Sequence, residues 1–448
     1  MILNFLLLII FTFFTFYIFS PSFKDRRYVA LPSKPGYSYL MSKNMYFLIF
    51  IVCTAPFFLG AFSLIKYALY WGAIILLALK RQVYFKFESI TISYLIFYLW
   101  LIVGCFYTDT INYDSVSLLI KYSLPILSLW LGYSSLENEF DLYHFSKAVT
   151  KVCVIYALFI GGFSATFMPW LYYKNYTVLD NMFLVYAGIA GYFTSLFSVP
   201  LAMHWMTGKN RYIIVAIWLL LSSVLDSVRT SIGGIVLGVC FFFFIKYKVK
   251  SIPYIIVAVF LFIAIILYVP SVNQKFFGER SGTITANDII NNNALGIENI
   301  QTSGRSYMWE LALTKFFDPN PVVGSGLGSV TNFMKVRAEK KHTVALLHSD
   351  YVQILCDNGI IGLILFSFFA IVLIFKVIKY TWILKSNVWI NISGAMALAS
   401  FAGVAFTMGF DNVVSHSMTC MINPFIFIGF FLRFIDLSKE EAFNKIAL

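Results

Sequence analysis

Pro253-Tyr-Ile-Ile-Val-Ala-Val-Phe-Leu-Phe-Ile-Ala-Ile-Ile-Leu-Tyr-Val-Pro270 carries no charged side chain. A run of that length, near the ~20 apolar residues needed to cross a bilayer, reads as a membrane-spanning helix. Comparable runs recur at 2–20, 45–62, 64–79, 88–106, 114–133, 148–168, 182–206, 211–225, 231–246, 358–376, 387–410 and 417–433. Together they predict about twelve to thirteen transmembrane helices. Of 448 residues, 60% are hydrophobic and 12% charged, and the mean hydropathy is +0.81. A soluble domain needs far less apolar surface. The expected fold class is an all-α integral membrane protein.

The net charge of +12 does not point to nucleic acid, because the basic residues gather in alternate loops. Lys24, Arg26, Arg27, Lys34 and Lys43 fill one; Lys80, Arg81 and Lys86 another; Lys246, Lys248 and Lys250 a third. Lys376, Lys379 and Lys385 follow, then Arg433, Lys439 and Lys445. The positive-inside rule puts these on the cytoplasmic side, with the N-terminus outside and the C-terminus inside. The opposite loops, 107–113, 169–181, 226–230, 271–357 and 411–416, then face outward. The first span lacks a basic n-region and runs straight into Lys24-Asp-Arg-Arg27, the pattern of a retained anchor rather than a cleaved signal peptide.

This divides the chain into transmembrane helices over 1–270, a large outward loop over 271–357, and transmembrane helices with a short tail over 358–448. A loop of that length is usually functional or disordered, and this one has helical patterning. It is expected to contain short helices and the chemistry. The six cysteines are scattered through apolar segments without paired spacing, so neither a disulfide framework nor a zinc motif is implied.

Ser303-Gly-Arg-Ser-Tyr-Met-Trp-Glu-Leu-Ala-Leu-Thr-Lys-Phe-Phe317 reads as an amphipathic helix with Ser303 as N-cap. Arg305 falls on its apolar face and in its first turn, where it opposes the helix dipole. An anion would relieve both penalties; the bland alternative is that Arg305 snorkels or stacks on Trp309. Arg229 lies in the short turn Leu225-Asp-Ser-Val-Arg-Thr-Ser231. It either pairs with Asp226 or holds an anion, and the two roles are compatible. His348 is a general-base candidate if the helix begins before it and turns the imidazole inward, and otherwise an interior hydrogen-bonded histidine. Asp350 is the rival base and His416 the third. The run Gly324-Ser-Gly-Leu-Gly328 can offer amides to a phosphate through Gly324 and Gly326, or simply make a tight turn. No metal-ligand cluster or Gly-x-Ser-x-Gly elbow stands in the outward loops.

Four pieces of sequence then share one pattern: Ser227-Val-Arg229; Gly304-Arg305; Pro321-Val-Val-Gly-Ser-Gly326; and His348-Ser-Asp-Tyr-Val-Gln-Ile-Leu-Cys-Asp-Asn-Gly-Ile-Ile-Gly362. With their placement among many spans, they resemble the bacterial O-antigen polymerase and O-antigen ligase superfamily, most specifically over 304–365. Ser349 departs from the family, whose members more often carry Asn after the histidine.

The resemblance implies a glycosyltransferase of the C type in the bacterial cytoplasmic membrane, with its active site facing outward. Its donor would be a polyprenyl-diphosphate-linked oligosaccharide, and the reaction would invert the anomeric carbon without a metal or other cofactor. Arg229 and Arg305 would hold the diphosphate and His348 would deprotonate the acceptor. Asp350, Tyr307, Trp309, Gly324 and Gly326 would contact substrate. The acceptor would be a second lipid-linked glycan, giving a polymerase of O-antigen or capsular repeat units, or a lipid A-core, giving a ligase. Membrane lipid, a chain-length regulator and a flippase are the further partners expected. A transporter of the same lipid-linked sugars is the alternative of another class. It needs polar groups near the bilayer midplane, whereas here they gather in outward loops.

Overall fold

The computed structural model describes residues 28–30, 38–55, 63–106, 113–166, 186–225, 228–269, 272–273, 305–341 and 346–446. The expected first span (2–20), Asp226 and Ser303 lie outside them. The described residues are helical apart from short elements and one small antiparallel pair, β1 (Tyr28–Ala30) with β2 (Ser38–Leu40).

The helices in chain order are α1 (Lys43–Thr54), α2 (Ser63–Leu79), α3 (Ser89–Gly104), α4 (Tyr113–Ser135) and α5 (Glu139–Thr166). Next come α6 (Tyr186–Leu196), α7 (Ser198–Thr207), α8 (Arg211–Leu225), α9 (Arg229–Tyr247) and α10 (Ile252–Tyr268). Last are α11 (Arg305–Ala312), α12 (Ser329–Lys341), α13 (Asp350–Ile383), α14 (Val388–Met408) and α15 (Ile422–Ile446). Short polar side chains start several of them by accepting orphan first-turn amides: Ser42 from Met45, and Asn387 from Trp389 and Ile390.

Among the described residues, four helical stretches are long and apolar enough to cross a membrane: α4, Arg229–Tyr268, α13 and α14. The second comprises α9 and α10, which a 3₁₀ turn over Lys248–Ser251 joins and which pack on each other. The expected span 182–206 is two helices, α6 and α7, meeting at Phe197. The expected span 358–376 begins eight residues earlier than read, at Asp350, and reaches Ile383.

Burial separates centre from edge. Most of α14 is buried, and it packs along α9 and α15. By contrast α10 has no buried residue, although it is apolar all round, with Val257, Phe260 and Leu261 more than half exposed. Such a helix is stable only where the surrounding solvent is itself apolar, so α10 faces lipid. This is an all-α integral membrane protein.

Between lipid-solvated helices, close backbone approach replaces the hydrophobic effect as the source of packing energy. Gly234 and Gly238, four residues apart on α9, bring it onto α14. A Cβ on Gly234 would sit 2.7 Å from the Gly403 carbonyl, and one on Gly238 at 2.7 Å from that of Ala399. Gly132 of α4 makes the same kind of approach to α15, 2.6 Å from the Ile426 carbonyl. The α9–α14 contact carries Arg229 to its place, because Thr407 at the end of α14 donates to the Thr230 carbonyl (3.5 Å). Gly238→Val is expected to separate the two helices and lower stability by about 1–3 kcal/mol, read as a fall in Tm of the detergent-purified protein. An unchanged Tm would mean that α9 and α14 do not meet at their backbones.

Candidate functional site

Both candidate arginines begin helices: Arg229 is the first residue of α9 and Arg305 the first of α11. Each helix therefore presents first-turn amides, the positive end of its dipole and a guanidinium at one end. Both side chains are half-buried, and they lie within electrostatic reach of each other. Burial pulls the Arg305 guanidinium below its ordinary value, while the Asp411 carboxylate acts in the opposite direction. Two residues far apart in sequence thus bring like charges together at two helix N-termini, a combination that an incoming anion relieves. The expected helix 303–317 is helical over its described residues, from Arg305 to Phe317. It is α-helical to Ala312, then widens into a π turn over Leu313–Phe317.

The helix that follows His348 does not begin before it. Helix α13 begins at Asp350, capped by Ser349, whose hydroxyl accepts the Val352 amide at 3.3 Å. His348 takes the left-handed conformation, φ +56°, which is uncommon for a residue with a Cβ and clusters at functional sites. It is held there from both sides. Behind it, Leu347 is buried with Ala312, Val330, Met334 and Cys356, and its carbonyl accepts Trp309 Nε1–H at 2.9 Å. Ahead of it, the start of α13 fixes the chain.

The imidazole Nδ1 lies 3.4 Å from Asp411 Oδ1. Burial alone would raise the Asp411 carboxyl, but the hydrogen bond from His348, that from the Asn412 amide (2.8 Å) and the nearness of both histidines outweigh it. Asp411 is therefore held below the ordinary carboxylate range and stays charged. An ionised partner at Nδ1 selects the Nδ1–H tautomer and leaves Nε2 as a proton acceptor. This long contact has room to tighten once a substrate is bound. Asp411 was not singled out from the sequence. A carboxylate in a short turn between two apolar spans is the same signal that marked Arg229, and it would have found it.

Several of the expected substrate contacts have partners within the protein. Asp350 is 1% exposed, and its Oδ2 accepts the Val414 amide at 3.1 Å. It thereby holds the turn that carries Asp411. Gly324 and Gly326 do not offer free amides: Gly324 donates to Asn320 O and Gly326 to Asp357 O, at 2.9 and 2.8 Å. The next amides are taken too, Leu327 by Gly104 O and Gly328 by Asp357 Oδ2, both at 3.1 Å. The glycines serve a tight turn, with φ of +77° and +91°. Trp309 spends its ring N–H on Leu347, so it clamps the segment before His348 rather than standing free as a sugar platform. Tyr307 is 59% exposed beside Arg337, whose guanidinium carbon lies 5.4 Å from its ring centre. His416 sits near Asp411, but burial, the larger effect, lowers its imidazole below the ordinary value.

The loop 320–330 is fixed by a break in α13. Gly359 has φ +67° and ψ −172° inside that helix, and a Cβ there would collide with the Val322 carbonyl. The backbone groups freed by the break find partners in the loop: Ile360 N–H donates to Pro321 O, and Ser325 N–H to Cys356 O, both at 2.9 Å. Two residues earlier, buried Asp357 accepts Val330 N–H at 3.0 Å as well as that of Gly328.

The arginines, the histidine and the glycine turn all fall in or beside residues 214–367, which match the family model described as O-antigen ligase. Over this stretch the chain is similar to that family. No curated protein matches the chain. The matched stretch includes α9 to α12, the turn at His348 and the first half of α13. It stops short of Asp411.

Because the folded Asp411 carboxyl is depressed, its stabilising effect is complete above the ordinary carboxylate range and lost as pH falls through the depressed value. The Tm of Asp411→Asn is expected to lie below wild type at neutral pH, with the gap narrowing as pH falls through and below the ordinary carboxylate range. A gap that stays constant over that range would contradict the His348–Asp411 pairing.

Proposed function

We propose that this protein is a membrane glycosyltransferase that polymerises polyprenyl-diphosphate-linked oligosaccharide repeat units into a surface polysaccharide. The observation that carries this reading is the meeting of Arg229 and Arg305, each at a helix N-terminus, with the His348–Asp411 pair. Two guanidiniums with first-turn amides suit a diphosphate, and an imidazole oriented by a carboxylate suits proton abstraction from a hydroxyl.

In this mechanism the acceptor hydroxyl gives its proton to His348 Nε2 as its oxygen bonds to the donor's anomeric carbon. The bond from that carbon to the diphosphate breaks, and the lipid diphosphate leaves with the electron pair. Arg229 and Arg305 stabilise the charge that develops on it. Asp411 holds the imidazole and balances the imidazolium. Attack from the face opposite the leaving group inverts the anomeric centre. The chemistry draws on these side chains and takes place on the outer face of the cytoplasmic membrane, opposite the lysine-rich loops.

The second reading is ligation of a finished chain to a lipid A-core acceptor, favoured by the description of the family model that matches residues 214–367. Both readings use the same two arginines and the same base, and they differ only in the acceptor.

His348→Ala is expected to lower turnover by about 10²–10⁴-fold, the range for loss of a general base. It and Arg305→Ala should abolish long-chain polysaccharide while the protein stays in the membrane, seen on a silver-stained gel of a complemented deletion strain. Wild-type chain length in either variant would remove the site assignment. In the deletion strain, core carrying one repeat unit indicates a polymerase. Bare core with polymer still on its polyprenyl carrier indicates a ligase.

A further inference from the structure

A cavity of about 280 Å³ lies beside the His348–Asp411 pair. Leu347 and Asn412, the chain neighbours of that histidine and that aspartate, line it, together with Asp114, Lys121, Lys335 and His416 from three other parts of the fold. Its size is close to the low end of ligand pockets, about 300 Å³, which suits one sugar ring rather than an oligosaccharide.

Its polar groups favour donors. Asn412 is 2% exposed, and its Nδ2 has no hydrogen-bond partner. A buried donor left unmade costs about 1–3 kcal/mol, so something that accepts hydrogen bonds belongs there. Lys121 stands about 12 Å along α4 from Tyr113, within a helix of membrane-crossing length. A cation at such a place is expensive unless partnered or used. Among the described residues no ion pair is recorded for it. Asp114 and Asp350 act on it electrostatically, but Asp114 is in an ion pair with Lys335 and Asp350 accepts the Val414 amide. The side chains lining the cavity therefore leave one positive charge in excess.

We infer that this cavity seats the acceptor's terminal sugar, and that the sugar carries a carboxylate held by Lys121 and Asn412. This rests on the proposed glycosyl transfer, which needs an acceptor hydroxyl beside His348. A single excess charge matches a monoanionic carboxylate better than a phosphate ester.

The test uses the full-length protein in detergent, with methyl β-D-glucuronide and methyl β-D-glucoside as probes in saturation-transfer NMR titrations. The glucuronide is expected to bind about tenfold more tightly than the glucoside, as one hydrogen bond to a charged group requires. Lys121→Gln should erase that preference and Lys121→Arg keep it. Arg305→Ala should leave glucuronide binding at the wild-type level. Equal affinity for the two probes would overturn the inference, as would a preference that survives Lys121→Gln. Loss of glucuronide binding in Arg305→Ala would place the probe at the arginines and also overturn it, and tighter binding of glucose 6-phosphate than of glucuronide would overturn the carboxylate. None of these results bears on whether Arg305→Ala and His348→Ala lose polymer, so the transferase reading and this one fail separately.

Discussion

The structure depends on one broken helix. At Gly359 the backbone of α13 leaves the helical path, and the amides and carbonyls it releases would be costly if buried without partners. The loop 320–330 supplies those partners. Buried Asp357, two residues earlier, holds the end of the same loop and the start of α12 through two amides. Trp100 adds a third strut by donating to the Asn358 carbonyl at 3.0 Å. The break thus welds the polar segment to the membrane helices. With Leu347 packed onto that segment and clamped by Trp309, the weld also decides where His348 points.

Charge is arranged around this frame with little slack. Two helices begin with arginines against the sense of their own dipoles, and the nearby carboxylate that acts on Arg305 also engages His348. Asp411 therefore links the cationic region to the base. Asp350 keeps Asp411 in place from the first turn of α13, so two acidic residues from distant parts of the chain support one imidazole. Neither carboxylate needs to touch a substrate to matter.

Membrane class was legible in the sequence, because a chain this apolar is conspicuous, and charge in apolar surroundings singled out the two arginines that begin α9 and α11. The position of His348 was less so. Its left-handed backbone and the late start of α13 follow from a serine cap and a buried leucine, which are ordinary residues in the sequence. Glycine runs are ambiguous for a similar reason: Gly324 and Gly326 look the same whether their amides are free or taken, and only the partner carbonyls decide. Asp411 lies some sixty residues beyond His348 and meets it through α14, a proximity that no local pattern announces.

The contrast between α10 and α14 has a consequence for how this chain can vary over time. Every face of α14 meets another helix, so each exchange there must fit a shape. Away from its contact with α9, α10 has only solubility in hydrocarbon to satisfy, and Leu, Ile, Val and Phe are nearly interchangeable there. Its sequence is free to drift while its composition stays put. Kinship measured over α10 would record the bilayer more than descent, whereas α14 and the turn at Gly359 preserve ancestry.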